Sequence, residues 1–529
     1  MGDSIVVVGG GPGGLFLATL LARQDSAATV TVYERNRRSD AFGFGVVFSD
    51  ATLREIDAAD SVLRDGLADH GTHWDRIEVR SDGESYGFAG NGMAAIHRKT
   101  LLGLLQDNAE AAGVDVRYST VAPPVAELAA AHDLVVGADG TSSTVRDYLQ
   151  EHTDLGHSVA TAEAKFIWFA TEHIFDGLTF LHRRSEHGNF AAHAYPISDE
   201  LSTFIVETDH ETWERAGLDQ FDVTQPPGPS DERSQAYLAE LFADDIDGAA
   251  LVANNSRWAN FRTRRTTTWF RGNVALLGDA VHTAHFSVGS GTKMAMEDAI
   301  ELARQLGVHR DRPTALAAYQ DARTPAVARI QDAAVPSLAW WERFGQYQRD
   351  LDPFTFAFHF FSRSIAVDRI ARRDPELVAT ARARWAERHG TDALHTPLDL
   401  AGARTAGRVL ELTVVDGQGQ LSERGGPVVP VSTAASTGGP TAGSDAGVIR
   451  VDAPDDESHL AKAAHSLPDR GAVLITGGTA LTRILLSEEA RLRRGLVSVV
   501  VDNLSDAEIE TALLAGRVDA VARPEGEAL

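Results

Sequence analysis

Short apolar runs alternate with longer Ala- and Leu-rich stretches from residue 1 to about residue 390. The β-branched runs, which predict buried strands, are Ile5–Val8, Val30–Tyr33, Leu134–Val136 and Val274–Leu277. Because the stretches between them have helical spacing, the alternation predicts an α/β fold. Between about residues 160 and 260 the pattern changes to period two, as in Lys165–Thr171 and Leu201–Glu207. That pattern predicts a mainly antiparallel sheet.

The C-terminal part begins with a change of composition. Residues 423–447 are dominated by Gly, Pro, Ser, Thr and Ala, and such a segment lacks the apolar side chains that favour order, so it is predicted to be a flexible linker. Beyond it, Ala472–Ile475 and Val497–Val501 predict two buried strands, and the stretch around Leu481–Arg494 predicts a helix between them. The tail is therefore expected to be a small α/β region.

Composition and charge narrow the function classes. With 43% hydrophobic and 23% charged residues the chain has a globular composition, and its net charge of -26 repels phosphate backbones. Nucleic acid and anionic membranes are thus not expected partners. The chain has no Cys, so redox chemistry requires a bound cofactor. No secretion signal is visible at the N-terminus, and a cytoplasmic location is expected.

A glycine-rich turn follows the first predicted strand and precedes a helical stretch. Gly9, Gly11 and Gly14 fit the G-x-G-x-x-G pattern, and Glu34 ends the second strand twenty residues later. Glycine permits the tight turn and the close approach of a pyrophosphate, while the carboxylate can accept hydrogen bonds from a ribose. The turn therefore predicts an FAD or NAD site rather than an NADP site. The candidate residues are Gly9, Gly11, Pro12, Gly13, Gly14, Glu34 and Arg35.

Two further segments favour FAD. Asp133–Gly140, followed by Ser143, Val145 and Arg146, resembles the DG motif of class A flavoprotein monooxygenases, and Arg271–His282 resembles their GD motif. This resemblance implies a Rossmann-like FAD-binding domain interleaved with an antiparallel substrate-binding sheet, as in p-hydroxybenzoate hydroxylase. It also implies NADH or NADPH as co-substrate. The further FAD candidates that it implies are Arg98, Asp139, Gly278, Asp279, Gly289, Gly291 and Thr292.

Within that class the chain resembles one branch. Phe286 stands where the wider family has Pro, and Lys293 where it has Asn. With the segments GVVFSDATL (45–53), KFIWFAT (165–171) and HAYPI (193–197), these departures resemble the salicylyl-CoA 5-hydroxylase and anthraniloyl-CoA monooxygenase branch. The resemblance implies hydroxylation of an aromatic acyl-CoA, such as salicylyl-CoA to gentisyl-CoA, with O₂ through a C4a-hydroperoxyflavin. The alternatives are a hydroxylase of a free indole or tryptophan derivative, a flavin reductase without oxygen insertion, and a non-catalytic flavoprotein.

Several side chains are candidates for the chemistry. His193 and Tyr195 lie on a predicted strand and suit a base near a phenol, although both can equally pack within the sheet. His282 and His285 follow the GD motif and either approach the flavin and substrate or make local hydrogen bonds. Lys293 either places a positive charge near the flavin or pairs with Glu297 one helical turn later.

A CoA ester would bring phosphate groups, so basic clusters are candidate substrate contacts. The main cluster is Arg262, Arg264 and Arg265, with Phe286 as a further substrate-binding candidate; the others are Arg183 with Arg184, and Arg369 with Arg372 and Arg373. Each cluster can also be a solvated face. The aromatic stretch Trp340–Phe361 is interpreted as an acyl channel, a packed core or a homodimer contact.

These patterns predict four regions. They are an FAD-binding domain of residues 1–160 and 260–345, a substrate sheet of 161–259, a helical extension of 346–394 and a tail of 395–529. Segments 395–400 and 515–524 resemble the two ends of Old Yellow Enzyme-like barrels. Because a complete (β/α)₈ barrel needs roughly 250 residues, the tail is interpreted as a truncated remnant in which no closed sheet forms. It is expected to be dispensable when the chain ends near Gly390.

Overall fold

Two compact units make up the protein. The computed structural model describes residues 2–226, 228–285, 291–415, 418–423, 428–433 and 447–524. Unit 1 runs to Ser85 and again from Ala89 to Gly345. Unit 2 consists of Tyr86–Phe88 and the described residues from Gln346 onward.

Unit 1 contains two large sheets and their covering helices. Its strands are β1 (Ser4–Val8), β2 (Thr29–Tyr33), β3 (Gly45–Ser49), β4 (Thr72–Trp74), β5 (Ile77–Ser81), β6 (Glu84–Phe88, which crosses the unit boundary), β7 (Met93–His97), β8 (Asp115–Arg117), β9 (Leu134–Gly137), β10 (Ser158–Thr171), β11 (Leu178–Ser185), β12 (Gly188–Pro196), β13 (Ser202–Thr208), β14 (Leu251–Ala253), β15 (Ala259–Arg265), β16 (Phe270–Arg271) and β17 (Val274–Leu276). Its helices are α1 (Pro12–Gln24), α2 (Asp50–Ala59), α3 (Val62–His70), α4 (Arg98–Ala111), α5 (Val125–Ala131), α6 (Thr144–His152), α7 (His210–Arg215), α8 (Glu232–Leu241), α9 (Gly291–Val308) and α10 (Arg312–Trp341).

The first sheet has the order β16-β17-β9-β1-β2-β8. β1 lies between β2 and β9 and is parallel to both, with Ile5 opposite Val30 and Leu134. Helices cover both faces of such a sheet, which is why its strands are continuous apolar runs rather than alternating ones. Because β1, β9 and β17 are parallel, the segments that follow them leave the sheet at the same edge, where α/β proteins bind nucleotides.

The second sheet has the order β14-β10-β13-β12-β11-β5, with β15 beside β10. β10, β13, β12 and β11 are mutually antiparallel, and β5 is parallel to β11. Side chains alternate between its faces. One face packs apolar residues such as Phe204 and Val206 against α8. The other, called the Tyr195 face here, carries the in-register side chains Phe180, His182, His193, Tyr195 and Glu207. A small third sheet has the order β3-β7-β4.

Unit 2 combines helices with a barrel. Its helices are α11 (Phe344–Asp350, which begins in unit 1), α12 (Pro353–Phe361), α13 (Val367–Ala371), α14 (Pro375–His389), α15 (Leu460–Ala464), α16 (Ala480–Glu488) and α17 (Asp506–Leu514). Its strands are β18 (Leu398–Leu400), β19 (Ala403–Thr405), β20 (Val409–Val415), β21 (Gln418–Ser422), β22 (Val428–Thr433), β23 (Val448–Asp452), β24 (Ala472–Thr476), β25 (Val497–Val501) and β26 (Ala520–Pro524).

Strands β20 to β26 form a closed barrel, in which β26 pairs with β20. The barrel is filled by small and branched side chains such as Leu410, Leu474 and Val499. This closure corrects the expectation that no closed sheet forms in the tail. β22 also lies inside the predicted flexible linker of 423–447. Its alternating Val429 and Val431 face the barrel core, so a short β-branched run forms a strand despite the surrounding composition.

The helices that precede the barrel belong to the same unit. The Glu488 cluster, formed by Tyr347, His359, Glu488 and Arg517, connects α11 and α12 with α16 and the turn before β26. Tyr347 Oη donates to Glu488 Oε2 at 2.5 Å, His359 Nε2 lies 3.0 Å from Oε1, and Arg517 Nε lies 3.7 Å from Oε1. Burial lowers the pKa of His359 to about 4. Residues 346–394 therefore pack with the tail, whereas the sequence pattern attached them to the monooxygenase region.

Candidate functional site

The glycine-rich turn joins β1 to α1, and its three motif glycines have different surroundings. Gly9 has φ +109°, and a Cβ there would lie 2.3 Å from the Ala138 carbonyl oxygen. A Cβ at Gly14 would lie 2.2 Å from the Gly9 carbonyl oxygen, so helix and strand can approach only with glycine at that position. A Cβ at Gly11 would meet no atom within 4 Å. Gly11 therefore lines an open cradle at the N-terminus of α1, which suits an anionic group.

The Glu34 carboxylate lies beside the glycine-rich turn. Its Oε2 accepts a hydrogen bond from Gly10 N at 2.8 Å, and its Oε1 accepts from Asn36 N at 2.7 Å. Arg35 follows it and is exposed. Pro12 begins α1, and Gly13 lets α1 approach α9, because a Cβ there would lie 2.9 Å from Ala295 Cβ. The turn thus has the acidic partner that the sequence predicts.

The DG segment forms a tight loop between β9 and α6. Asp139 Oδ2 accepts hydrogen bonds from Thr144 N at 2.7 Å and Thr144 Oγ1 at 3.1 Å. Arg146 Nη1 donates to the carbonyl oxygens of Thr141 and Ala280 at 3.1 and 3.2 Å. Because Ala280 belongs to the GD segment, the buried Arg146 guanidinium fixes the two motif loops against each other.

The GD segment is supported from behind by Asp298 of α9. Its Oδ2 accepts from Gly278 N at 2.9 Å and lies 2.7 Å from His282 Nε2, and its Oδ1 accepts from Arg323 Nε at 2.7 Å. Burial raises the pKa of Asp298, but His282, Arg323 and Gly278 N together bring it below its usual range. His282 Nε2 therefore faces the Asp298 carboxylate behind the GD turn. This contact supports the shape of the turn, and a catalytic role of His282 stays a prediction.

Arg98 lies close enough to interact electrostatically with both Asp279 and Tyr195. Burial is the main cause that raises the pKa of Asp279, while His282, Arg98 and Arg264 lower it. Burial lowers the pKa of Arg98, and the charges of Asp279 and Tyr195 oppose that shift. Burial raises the pKa of Tyr195 to about 12. Tyr195 therefore carries its proton near neutral pH and can donate a hydrogen bond, while its role as a base stays a prediction.

His193 and His285 lie farther along the Tyr195 face. His193 Nε2 is 2.7 Å from Glu207 Oε1, and His285 Nε2 is 4.0 Å from Glu207 Oε2. All three side chains are nearly fully buried. The rings of Trp341 and Phe180 lie 4.2 and 4.9 Å from the His193 ring, centroid to centroid. A histidine base on this face would thus work in surroundings of low water content.

The start of α9 holds the remaining described candidates. Gly291 and Thr292 begin the helix, and a Cβ at Gly291 would meet no atom within 4 Å. Lys293 Nζ lies 3.5 Å from Glu297 Oε1, which is the ion pair given above as the alternative to a flavin contact. Phe286 and Gly289 lie outside the described residues.

The basic cluster does not form one patch. Arg262 is exposed, Arg265 Nη2 donates to Asp332 Oδ1 at 2.9 Å, and Arg264 is buried with Nη2 donating to the Thr141 carbonyl oxygen at 2.9 Å. Adjacent strand residues point to opposite faces, which separates Arg264 from Arg265. Arg264 Nε and Nη1 have no hydrogen-bond partner among the described residues, so within this cluster Arg264 is the arginine with buried donors left for a ligand. Arg183 and Arg184 pair with Asp245 and Asp82.

This arrangement fits FAD. The Gly11 cradle has open space that would suit a pyrophosphate, the Glu34 carboxylate lies beside the turn, and Asp139 Oδ1 is a buried oxygen with no hydrogen-bond partner among the described residues. Asp279 follows β17 at the same edge of the sheet. An edge built in this way defines the class of protein as a flavoprotein with an adjoining substrate sheet.

The comparisons with known proteins agree with that class. A family model described as FAD binding domain matches residues 3–334. The chain belongs to this family of FAD-dependent aromatic monooxygenases, so FAD as cofactor and the predicted fold class are confirmed. It is 50% identical over 529 residues to a salicyloyl-CoA 5-hydroxylase of a Streptomyces species, covering 98% of this chain and 99% of that protein.

Two further similarities extend the picture. A 3-hydroxy-4-methyl-anthranilyl-[aryl-carrier protein] 5-monooxygenase of Streptosporangium sibiricum is 36% identical over 341 residues, 64% of this chain and 89% of that protein. A solved tetrameric 2-methyl-3-hydroxypyridine-5-carboxylic acid oxygenase matches with a TM-score of 0.52 at 21% identity, covering 64% of this chain and 93% of that chain. The latter similarity shows the fold alone. The match to the Streptomyces protein covers 99% of that protein and 98% of this chain, so it extends into the tail.

The sequence analysis did not identify Glu207 as a site residue. It also did not predict that Arg146 joins the DG and GD loops, or that Asp298 contacts His282 and Arg323. Glu207 carried one usable signal, because it is a lone carboxylate in the otherwise apolar and hydroxylic strand STFIVET. Asp298 and Arg323 carried no such signal in the sequence, because the residues they contact are distant along the chain.

A Tyr195→Phe variant should keep its FAD and lose about five- to tenfold in substrate-stimulated NAD(P)H oxidation, because one hydrogen-bond donor near Arg98 is removed. With a pKa of about 12, Tyr195 does not titrate between pH 6 and 9, so the variant should keep the shape of the wild-type pH profile. Steady-state rates across that range test this. Loss of an alkaline limb in Tyr195→Phe would show instead that Tyr195 acts as a base.

Proposed function

We propose that the protein hydroxylates an aromatic acyl-CoA, with salicylyl-CoA as substrate and gentisyl-CoA as product. The observation that carries this proposal is the 50% identity to a salicyloyl-CoA 5-hydroxylase along nearly the whole of both chains. The anthranilyl monooxygenase also acts, by its name, on an aryl group attached to a carrier. A carrier-bound aryl acid is therefore favoured over a free indole or tryptophan derivative.

The side chains suit an ortho-hydroxy aromatic thioester. FAD, when bound, supplies the activation of O₂ with reducing equivalents from NAD(P)H. His193 can accept the phenol proton, and Tyr195 and Arg98 can donate hydrogen bonds to the substrate oxygens. The aromatic rings around His193 keep water away from the reacting atoms. Arg264 supplies donors for an anionic group of a ligand in the cleft, which keeps it as a candidate phosphate contact.

The experiment measures NADH and NADPH oxidation, O₂ uptake and product mass with purified holoenzyme. Salicylyl-CoA should stimulate all three and give a product one oxygen atom heavier, while benzoyl-CoA, the matched ester without a phenol, should not be hydroxylated. Stimulation by free salicylate or an indole, but not by the CoA ester, would overturn the proposed substrate. Equal NADH oxidation without any aromatic compound would favour a flavin reductase.

Location and assembly follow as further proposals. In the ranges that the structure describes, no helix is both long and apolar enough to cross a membrane. A cytoplasmic location, the absence of nucleic-acid partners and a homodimer remain predictions from the sequence.

A further inference from the structure

The GD turn, Gly278–His282, places one side chain where a ligand can reach it. Gly278 and Ala280 are buried, whereas Asp279 is exposed, although the atoms packed around it raise its pKa. Gly278 has φ +61°, which favours glycine, and the His282 N–H donates to the Gly278 carbonyl oxygen at 2.9 Å, which closes the turn. The direction of the Asp279 carboxylate therefore depends on how the backbone at Gly278 is held.

Asp298 of α9 holds both ends of this turn with one carboxylate. Its Oδ2 accepts the Gly278 N–H at 2.9 Å and lies 2.7 Å from His282 Nε2. Because the acceptor is charged, such contacts are stronger than hydrogen bonds between neutral groups. Asp298 is 0% exposed, so it offers no surface to a ligand and can act on one only through the turn.

Arg323 of α10 compensates the buried charge of Asp298. Its Nε donates to Asp298 Oδ1 at 2.7 Å, and its Nη2 donates to Glu297 Oε2 at 3.0 Å. A buried carboxylate is costly unless cations and hydrogen-bond donors compensate it, and the planar fork of arginine can reach two carboxylates at once. Lys293 Nζ lies 3.5 Å from the other Glu297 oxygen. Two helices thus fix the carboxylate that holds the turn.

We propose that Asp298 is a positioning residue for FAD. It fixes the Gly278 backbone and, through that backbone, the direction in which Asp279 presents its carboxylate to the cofactor. Without the Asp298 charge, the Gly278 N–H and His282 Nε2 lose their common acceptor, so Asp279 no longer has one fixed direction. This inference rests on the prediction that Asp279 contacts FAD, and it is independent of which aromatic compound is the substrate.

A double-mutant cycle of Asp298→Asn and Asp279→Ala tests the proposal, with FAD affinity measured by titration of the apoprotein. Asparagine keeps the size of aspartate but lacks the charge and one acceptor oxygen, so Asp298→Asn should weaken FAD binding by at least about tenfold. The double variant should bind FAD within about threefold of Asp279→Ala alone, because the effect of Asp298 passes through Asp279. A general loss of stability would instead make the two effects multiply.

Glu301→Gln is the matched control, since Glu301 lies on the same helix and accepts hydrogen bonds from Arg304 and Gln305 of α9 itself. It should keep FAD affinity within about twofold of the wild type. An equal loss in Glu301→Gln, multiplying effects in the cycle, or unchanged FAD affinity in either single variant would overturn the proposal. Should Asp298→Asn not fold, Arg323→Lys replaces it in the cycle with the same deciding outcomes, because lysine keeps the charge but lacks the fork that binds both carboxylates. The titration needs no aromatic substrate, so failure to turn over salicylyl-CoA would refute the proposed function alone.

Discussion

Gly11→Val is expected to yield folded protein without FAD. Gly11 has φ -75° and ψ 176°, which any residue adopts, and a Cβ there meets no protein atom within 4 Å. The valine side chain would instead fill the space proposed for the pyrophosphate. We expect at least a hundredfold weaker FAD binding, or about 2.7 kcal/mol, measured by flavin absorbance after purification and by titration of the apoprotein. Asp279→Ala should weaken FAD binding as well, because Asp279 is one of the residues that are predicted to contact FAD.

Two matched glycines make this result specific. Gly103 of α4 also has open space around a Cβ, so Gly103→Val should keep its FAD. Gly14→Val should lower protein stability itself, because its Cβ would press against the Gly9 backbone. Full flavin content in Gly11→Val would show that the pyrophosphate lies elsewhere.

Glu488→Ala should have the largest effect on the stability of unit 2. It leaves the buried Arg517 without the Glu488 carboxylate and removes one hydrogen-bonding contact each from Tyr347 and His359. Removing one member of a buried ion pair costs about 3–5 kcal/mol. For a domain of this size each kcal/mol lowers Tm by roughly 2–4 °C. We therefore expect the unfolding transition of unit 2 to fall by roughly 10 °C in scanning calorimetry.

The comparison variants are Glu387→Ala and Glu488→Gln. Glu387 is exposed on α14, and its replacement should change Tm by less than about 2 °C. Glu488→Gln keeps hydrogen-bonding groups and should give an intermediate effect. Hydrogen exchange should locate the loss in α12 and β26, and exchange that stays unchanged there in Glu488→Ala would contradict the role assigned to the cluster.

The sequence predicted the nucleotide edge because the relevant constraints are local. Gly9 and Gly14 are required by backbone contacts within a few residues of the turn, and the strand before them has a continuous apolar pattern. The pairing of Glu207 with His193 depends on the register of two strands, which residue types alone do not set. The further rise in the pKa of Tyr195 is caused by burial under elements distant in sequence, which the residues around Tyr195 do not reveal.

The contacts of the aromatic stretch Trp340–Phe361 could also not be predicted from residue types alone. Its composition indicates burial, and that part of the interpretation agrees with the structure. Trp341 packs on His193 in unit 1, whereas Tyr347 and His359 bind Glu488 in unit 2. Hydrophobicity predicts that a side chain is covered but does not identify the covering element. For this reason a chain ending near Gly390 would divide a cooperative unit, and the tail is no longer expected to be dispensable.

The segment Tyr86–Phe88 belongs to unit 2, although it lies within the first hundred residues of the chain. Tyr86 packs edge-on against Phe354, and Phe88 lies 5.6 Å from Phe361, centroid to centroid. The polypeptide therefore passes between the units three times, and no single crossover point in the gene separates them. If recombination with a homologue replaces all residues after Gly345, the new α12 has to pack against Tyr86–Phe88 of the other parent. Such an exchange should therefore give a folded unit 2 only when Tyr86–Phe88 and the residues after Gly345 come from the same parent.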